Sequence, residues 1–273
     1  MVDSSAPWRR RTYSHLEIIA DLWNGIQKEP GKTLSPLFSA PFFSCKMITI
    51  DWLHTCELGV TQHFVGGAFD LYLDRLQGTL ASKVRNLWAS IQFYYRAHDI
   101  ADRLQGLTRK MIRAGDFPKL RGSAACIRAL VPFVPQLLGL IPRQEPPEVD
   151  IEVDTADWAS QYLCKCYSGL GHNDGDAQAQ LPDNARKFAI MMVSLEQLNP
   201  DRWRVYPKLH KMLHMVEQGQ PSSRWVYKDE DFGGPVAGLA RRRGGQLNPT
   251  TTSSSTLARF LLRQSPHQLV RGA

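Results

Sequence analysis

The sequence predicts a mostly α-helical chain with a small, incomplete α/β sheet. Three observations lead there. Apolar residues recur at helical spacing along most of the chain, and Val60, Phe64, Ala68, Leu71 and Leu76 form one such face. Strand-like stretches are few and short, the best being residues 46–51, KMITID. Breaks rich in Pro and Gly, 17 and 20 residues of 273, cut the pattern into pieces of helix length. A hydrophobic content of 43% is enough to bury the core of one large domain or two small ones.

The elements follow in order. Residues 12–28 carry Leu16, Ile18, Ile19, Leu22 and Trp23 on one helical face, with Ser14 as candidate N-cap. A Pro-, Ser- and Phe-rich loop leads to the strand at 46–51, and a helix is expected from Gly59 to about Leu76. Residues 80–115 read as one or two basic helices. The stretch from Phe117 reads as a loop, a helix near 122–131, and a second apolar helix after Pro132. Residues 142–157 hold three prolines and six acids and read as a linker or exposed loop. Helix returns over 155–170, and 171–184 is a polar loop. A further helix spans 183–198 with Asp183 as candidate cap, and "YPKLHKMLHMVEQ" is a short amphipathic helix. Beyond it come a β-like opening, an acidic knot, three arginines, a Ser/Thr-rich linker and the small helix "LARFLLRQ".

Charge and cysteine usage narrow the function classes. The net charge is +7, and residues 224–273 alone hold eight Arg or Lys against three acids, or +5. Such a balance favours polyanionic partners, DNA first, although many folded proteins carry it as plain solvated surface. Five cysteines at irregular spacing suit reduced thiols in an intracellular protein. Cys164 and Cys166 stand too close for the usual zinc knuckle, and His172 would complete only a partial site. The basic start of the chain lacks the apolar run of a secretory signal. No run approaches the roughly 18 apolar residues of a membrane span, so no membrane partner is expected.

Four short constellations carry candidate chemistry. Asp51 stands where the strand ends, a place that suits a metal-binding carboxylate and equally a helix cap. His54, three residues on, can orient that carboxylate, bind a phosphate, or serve as hydrogen-bonded filler. His210 and His214 are four apart and share a helix face; they suit phosphate or DNA contact, or a plain polar face, and lack an obvious third metal ligand. The run Arg241, Arg242 and Arg243 suits phosphates or solvent.

"IDWLHTCELGV" resembles the second-acid segment of cut-and-paste DNA transposases, nearest to the CACTA (En/Spm-type) class with its DDE/D catalytic acids. The matching residues are Asp51, His54, Glu57, Leu58, Gly59 and Val60. "YPKLHKMLH" resembles the Pro-Lys-x-His-x-x-x-His element of that class. "RWVYKDEDFGGPVAGLARR" is similar to its third-acid segment, with Glu230 as the acid and Asp229 and Asp231 leaving the register open by one residue. The resemblance covers about 46–76 and 203–243, in the family's order.

The resemblance implies an RNase H-like core in which three carboxylates hold two Mg²⁺ (or Mn²⁺) ions about 3.5–4 Å apart for phosphodiester cleavage and strand transfer. It makes Asp51 and Glu230 metal ligands, puts His54 beside them in the catalytic site, and assigns His210 and His214 to nucleic acid, while Arg241, Arg242 and Arg243 are nucleic-acid candidates by their charge. It requires no small-molecule cofactor. It divides the chain into 1–45, a helix and loop; 46–141, a partial core and the start of a helical insertion; 142–157, the acidic linker; 158–243, the end of the insertion and the third-acid segment; and 244–273, a basic tail. The family places its first acid on an earlier strand, whereas Asp3 and Asp21 fall in no strand. The expectation is therefore a transposase-like fragment, nuclear or otherwise intracellular, that is inactive alone. The alternatives are a non-catalytic nucleic-acid-binding module and a helical protein without such a role.

Overall fold

The structure, a computed structural model, describes residues 51–142, 150–170 and 175–217. The chain divides into two compact units, Met1–Arg224 and Trp225–Ala273, and every described residue lies in the first. The described part is mostly helical and contains no strand. The strand expected over 46–51 lies outside it except for Asp51, which is not in a strand.

The first element corrects the expected helix start at Gly59. Helical backbone begins at Trp52 and continues as a π-helix, Leu53–Thr61, in which the amide of Gln62 reaches back five residues to Glu57 O. The early start has two causes. Asp51 supplies a cap, and Trp52, Leu53, Cys56 and Val60 are all buried at spacings that put them on one face. The chain runs on without a break into α1, Gln62–Arg75.

Helix α1 is the centre of the core. Phe64 packs edge-on against Phe188 and tilted against Trp203, while Phe69 meets Phe133 edge-on. Gly66 and Gly67 sit mid-helix, where glycine costs roughly 1 kcal/mol each relative to alanine. Close packing explains them. A Cβ on Gly66 would lie 2.7 Å from the backbone nitrogen of Leu120, and one on Gly67 would lie 2.5 Å from the Trp203 ring. The loop that carries Leu120 is thereby laid directly on α1, where Leu120 N donates to Gln62 O at 3.0 Å.

Three later helices share one start signal. Helices α2 (Leu80–Ala97), α3 (Arg109–Ile112) and α4 (Ala124–Leu130) are capped by Thr79, Thr108 and Ser123, each accepting from the amide three residues on. Helix α5 is Phe133–Gly139. Helix α6, Ile151–Ser168, begins inside the expected 142–157 linker. Its acids Glu152 and Asp154 fall in the first turn, where the helix dipole favours them, and Glu152 is held by Arg202 and Trp203. Helix α7, Gly175–Ala179, lies in the expected polar loop. Helix α8, Leu181–Leu198, starts two residues before Asp183, which pairs with Lys187 instead of capping. Helices α6 and α8 pack along each other. Helix α9, Pro207–Glu217, packs on the π-helix and on α8.

An ion-pair network ties these layers together. Asp70, 1% exposed, takes Arg109, Arg113 and Arg202. Arg202 also reaches Asp74 and Glu152, and Glu152 accepts from the Trp203 indole at 2.7 Å.

Candidate functional site

The candidate site is the corner where the π-helix begins. Asp51 is its pivot. Oδ1 accepts from the Leu53 amide at 3.1 Å, and Oδ2 accepts from the His54 amide at 2.8 Å. Those are the second and third helical amides, the pair an N-cap carboxylate satisfies. Oδ2 also meets His54 Nδ1 at 2.5 Å, which orients the imidazole over the cap. The carboxylate is 16% exposed and the imidazole 56%.

The structure brings a second segment of the family resemblance to this corner. Lys208, at the start of α9, donates from Nζ to the His54 carbonyl at 2.8 Å. Its aliphatic chain crosses Gly59, where an added Cβ would lie 2.5 Å from Lys208 Cδ. Partial burial lowers the Lys208 pKa, and the ammonium groups of Lys119 and Lys211 push it the same way. Exposed cations from the α3–α4 loop and from two turns of α9 therefore lie within electrostatic reach of one another. Exposed Arg204 stacks over Phe117 at 4.6 Å. Sequence reasoning missed Lys119, Lys208 and Lys211; the lysine inside "YPKLH" was the one available signal.

The neighbouring His63 is half-buried. Its Nδ1–H donates to Pro118 O at 3.1 Å, and its ring lies 4.1 Å from Tyr206. Burial pushes its pKa down to about 4, with Lys119 and Lys208 acting in the same direction, so the ring is neutral near pH 7. His63, Tyr206 and Phe117 border a shallow dent together with Trp203 and Arg204.

Beneath the corner lies a group of buried side chains. Glu57 is fully buried. The Cys56 thiol is raised well above its ordinary value, by burial first and then by Cys166 and Glu57. The Tyr167 phenol is raised by burial and by Glu57, and it shares a 2.9 Å hydrogen bond with Thr61. Burial pushes Cys166 up to about 12 and Cys164 up to about 11, and Cys164 donates to the Val131 carbonyl at 3.4 Å. Thiols so raised are neither nucleophiles nor ready metal ligands at neutral pH.

Among the described residues Asp51 serves the helix start. Both Asp51 oxygens are engaged by helix amides, and the neighbouring groups are an imidazole and an ammonium where hard oxygen ligands are needed. Among the described residues no three His, Cys, Asp or Glu converge to hold a metal. Glu230, Arg241, Arg242, Arg243 and His172 lie outside the described residues.

His210 and His214 do come together. Both are half-buried on α9, and their Nε2 atoms stand 2.8 Å apart. Among the described residues, no helix is long and apolar enough to cross a membrane. No protein-family model, curated protein or solved structure matches this chain.

Proposed function

We propose that this is a transposase-derived chain, CACTA-like in ancestry, that holds a nucleic-acid backbone and does not cut it alone. One observation carries the reading: the segments "IDWLHTCELGV" and "YPKLHKMLH", 154 residues apart at their contact, meet through Lys208 and His54 and gather Lys119 and Lys211 beside them. Exposed ammonium groups at such a corner suit phosphates, which they bind by charge and without reading bases. The engaged Asp51 carboxylate supports the absence of cleavage. The RNase H-like sheet, with residues 46–50 as one strand, the Mg²⁺ ligand role of Glu230, and phosphate contacts from Arg241–Arg243 belong to the same proposal. A DNA partner implies a location inside the cell, in the nucleus where there is one.

The test is binding of a labelled duplex across a salt series, followed by incubation with Mg²⁺ or Mn²⁺. Affinity should be weak, indifferent to sequence, and should fall with salt by about 0.9 log units per phosphate contact per log unit of salt. The variant Lys119→Ala/Lys208→Ala/Lys211→Ala should flatten the slope by up to roughly three units, and so should replacing Arg241–Arg243 by alanine. No binding at low salt overturns the nucleic-acid role. Cleavage that disappears in Asp51→Ala overturns the claim that the chain does not cut.

A further inference from the structure

The two imidazoles of α9 form an arrangement that phosphate contact does not explain. A histidine reaching for a backbone phosphate points its ring nitrogen outward. Here Nε2 of His210 and Nε2 of His214 point at each other across one helical turn, 2.8 Å apart, with the ring planes at 81°. Both histidines are half-buried. Backbone packing on both sides, against the π-helix and α8, holds the two turns that carry them. The sequence supplies the spacing, since residues four apart stack on one helix face.

We propose that His210 and His214 chelate a divalent transition-metal ion through their Nε2 atoms. Imidazole is a ligand for Zn²⁺, Cu²⁺ and Ni²⁺, whereas Mg²⁺ prefers oxygen, so this site is distinct from any carboxylate centre. The geometry sets the preference. At metal–nitrogen distances of about 2.05 Å, two nitrogens 2.8 Å apart subtend about 86° at the ion. That is close to the 90° between neighbouring positions of a square or octahedral ion. A tetrahedral ion needs the nitrogens about 3.3 Å apart, a small outward turn of the two rings. Since the Nε2 atoms now point at each other, both rings must turn toward an ion beside the N–N line; Cu²⁺ and Ni²⁺ keep the present nitrogen spacing, and Zn²⁺ widens it as well. On binding, the imidazole that donates in the Nε2···Nε2 hydrogen bond moves its proton to Nδ1, so both Nε2 lone pairs face the ion and no net charge is lost from the protein. Water completes the coordination shell. The ion would staple two turns of α9, the helix that presents Lys208 and Lys211.

The proposal is independent of the transposase reading, and its test uses no nucleic acid. The full chain, stripped with a chelator and dialysed, is titrated with Cu²⁺, Ni²⁺, Zn²⁺ and Mg²⁺ by calorimetry, with thermal melts in parallel. The expected result is one ion bound per chain for Cu²⁺ and Ni²⁺, weaker binding of Zn²⁺, and none of Mg²⁺. The melting temperature should climb with free metal concentration, as it does for any ligand that binds only the folded state. His210→Gln and His214→Gln should each weaken binding by about tenfold or more, because a single imidazole loses the effective concentration of its neighbour. Far-UV circular dichroism establishes that both variants stay helical, and His98→Gln controls for adventitious binding to surface imidazoles. Binding unchanged in both variants, or lost equally in His98→Gln, overturns the site. So does the absence of any Cu²⁺ or Ni²⁺ binding by the wild-type chain.

Discussion

Asp51 shows how one residue can be explained by local backbone needs before any chemistry is invoked. Its carboxylate answers the amides of Leu53 and His54, which no helical carbonyl can reach. Asp51→Ala should destabilise the protein by about 1 kcal/mol, whereas Asp51→Ser should retain most of the cap. Chemical denaturation of the two variants checks this; equal losses would show that the cap is not what the carboxylate supplies. His63 makes a second residue-scale prediction. Its folded pKa, about 4, lies below the roughly 6.5 of an unfolded histidine. The unfolded chain therefore takes up the proton first as the pH falls. The stability associated with the neutral ring is full above about pH 6.5 and is lost between there and about pH 4. Because part of the ring remains in water, the loss is discounted to about 1–2 kcal/mol. His63→Gln should flatten the stability curve in that window, and unfolding free energies measured at pH 7 and pH 4.5 decide it.

At the scale of elements, helix α1 obeys packing over propensity. Two adjacent glycines weaken it as an isolated helix, yet they admit the Leu120 backbone and the Trp203 ring to its axis. Gly66→Ala gains helix propensity but thrusts a methyl into backbone that has no rotamer to yield. It should cost up to about 2 kcal/mol net, from overpacking of about 1–3 kcal/mol offset by a propensity gain of about 1 kcal/mol. Gly139→Ala, at the end of α5 with nothing within 4 Å of the added methyl, is the control and should be neutral or slightly stabilising. Denaturant midpoints of the pair test the claim; equal midpoints would mean that the α3–α4 loop does not rest on α1. The same logic holds at Gly59, where the neighbour is the flexible Lys208 side chain instead of backbone, so the contact can give way.

At the scale of the whole described unit, the stabilising contact least visible in the chain is the one around Asp70. It joins α1, both ends of α3, the start of α6 and the turn before α9 through Arg109, Arg113, Arg202, Asp74 and Glu152. Burial works against the Arg202 charge, but Glu152, Asp74 and Asp70 outweigh it and raise its pKa further. Arg202→Ala leaves carboxylates at that junction without their shared cation and should cost about 3 kcal/mol, in line with broken buried pairs. For a unit of this size that is a melting-temperature drop of roughly 6–12 °C. A drop no larger than that of an exposed-pair variant such as Lys187→Ala would show that the network contributes little.

Helix content was legible from the sequence because it rests on local periodicity. The spacing of Phe64, Ala68 and Leu71 and the amphipathic run of α9 are both written within a few residues. Boundaries failed where local signals competed. The β-branched run before Asp51 masked a helix start at Trp52, and acids beside prolines masked the start of α6 at Ile151. Those starts depend on partners distant in the chain: Arg202 and Trp203 hold Glu152, and buried contacts hold Trp52 and Leu53. Asp51 and His54 were recognisable as a pair, but the sequence left open whether the carboxylate served a metal or a helix. Only tertiary structure decided that both oxygens answer amides, that Lys208 reaches back to His54, and that two histidines turn their Nε2 atoms toward each other. Spacing along a chain fixes which residues share a face. The direction of a side chain, and what meets it there, is set by packing between segments that sequence alone does not align.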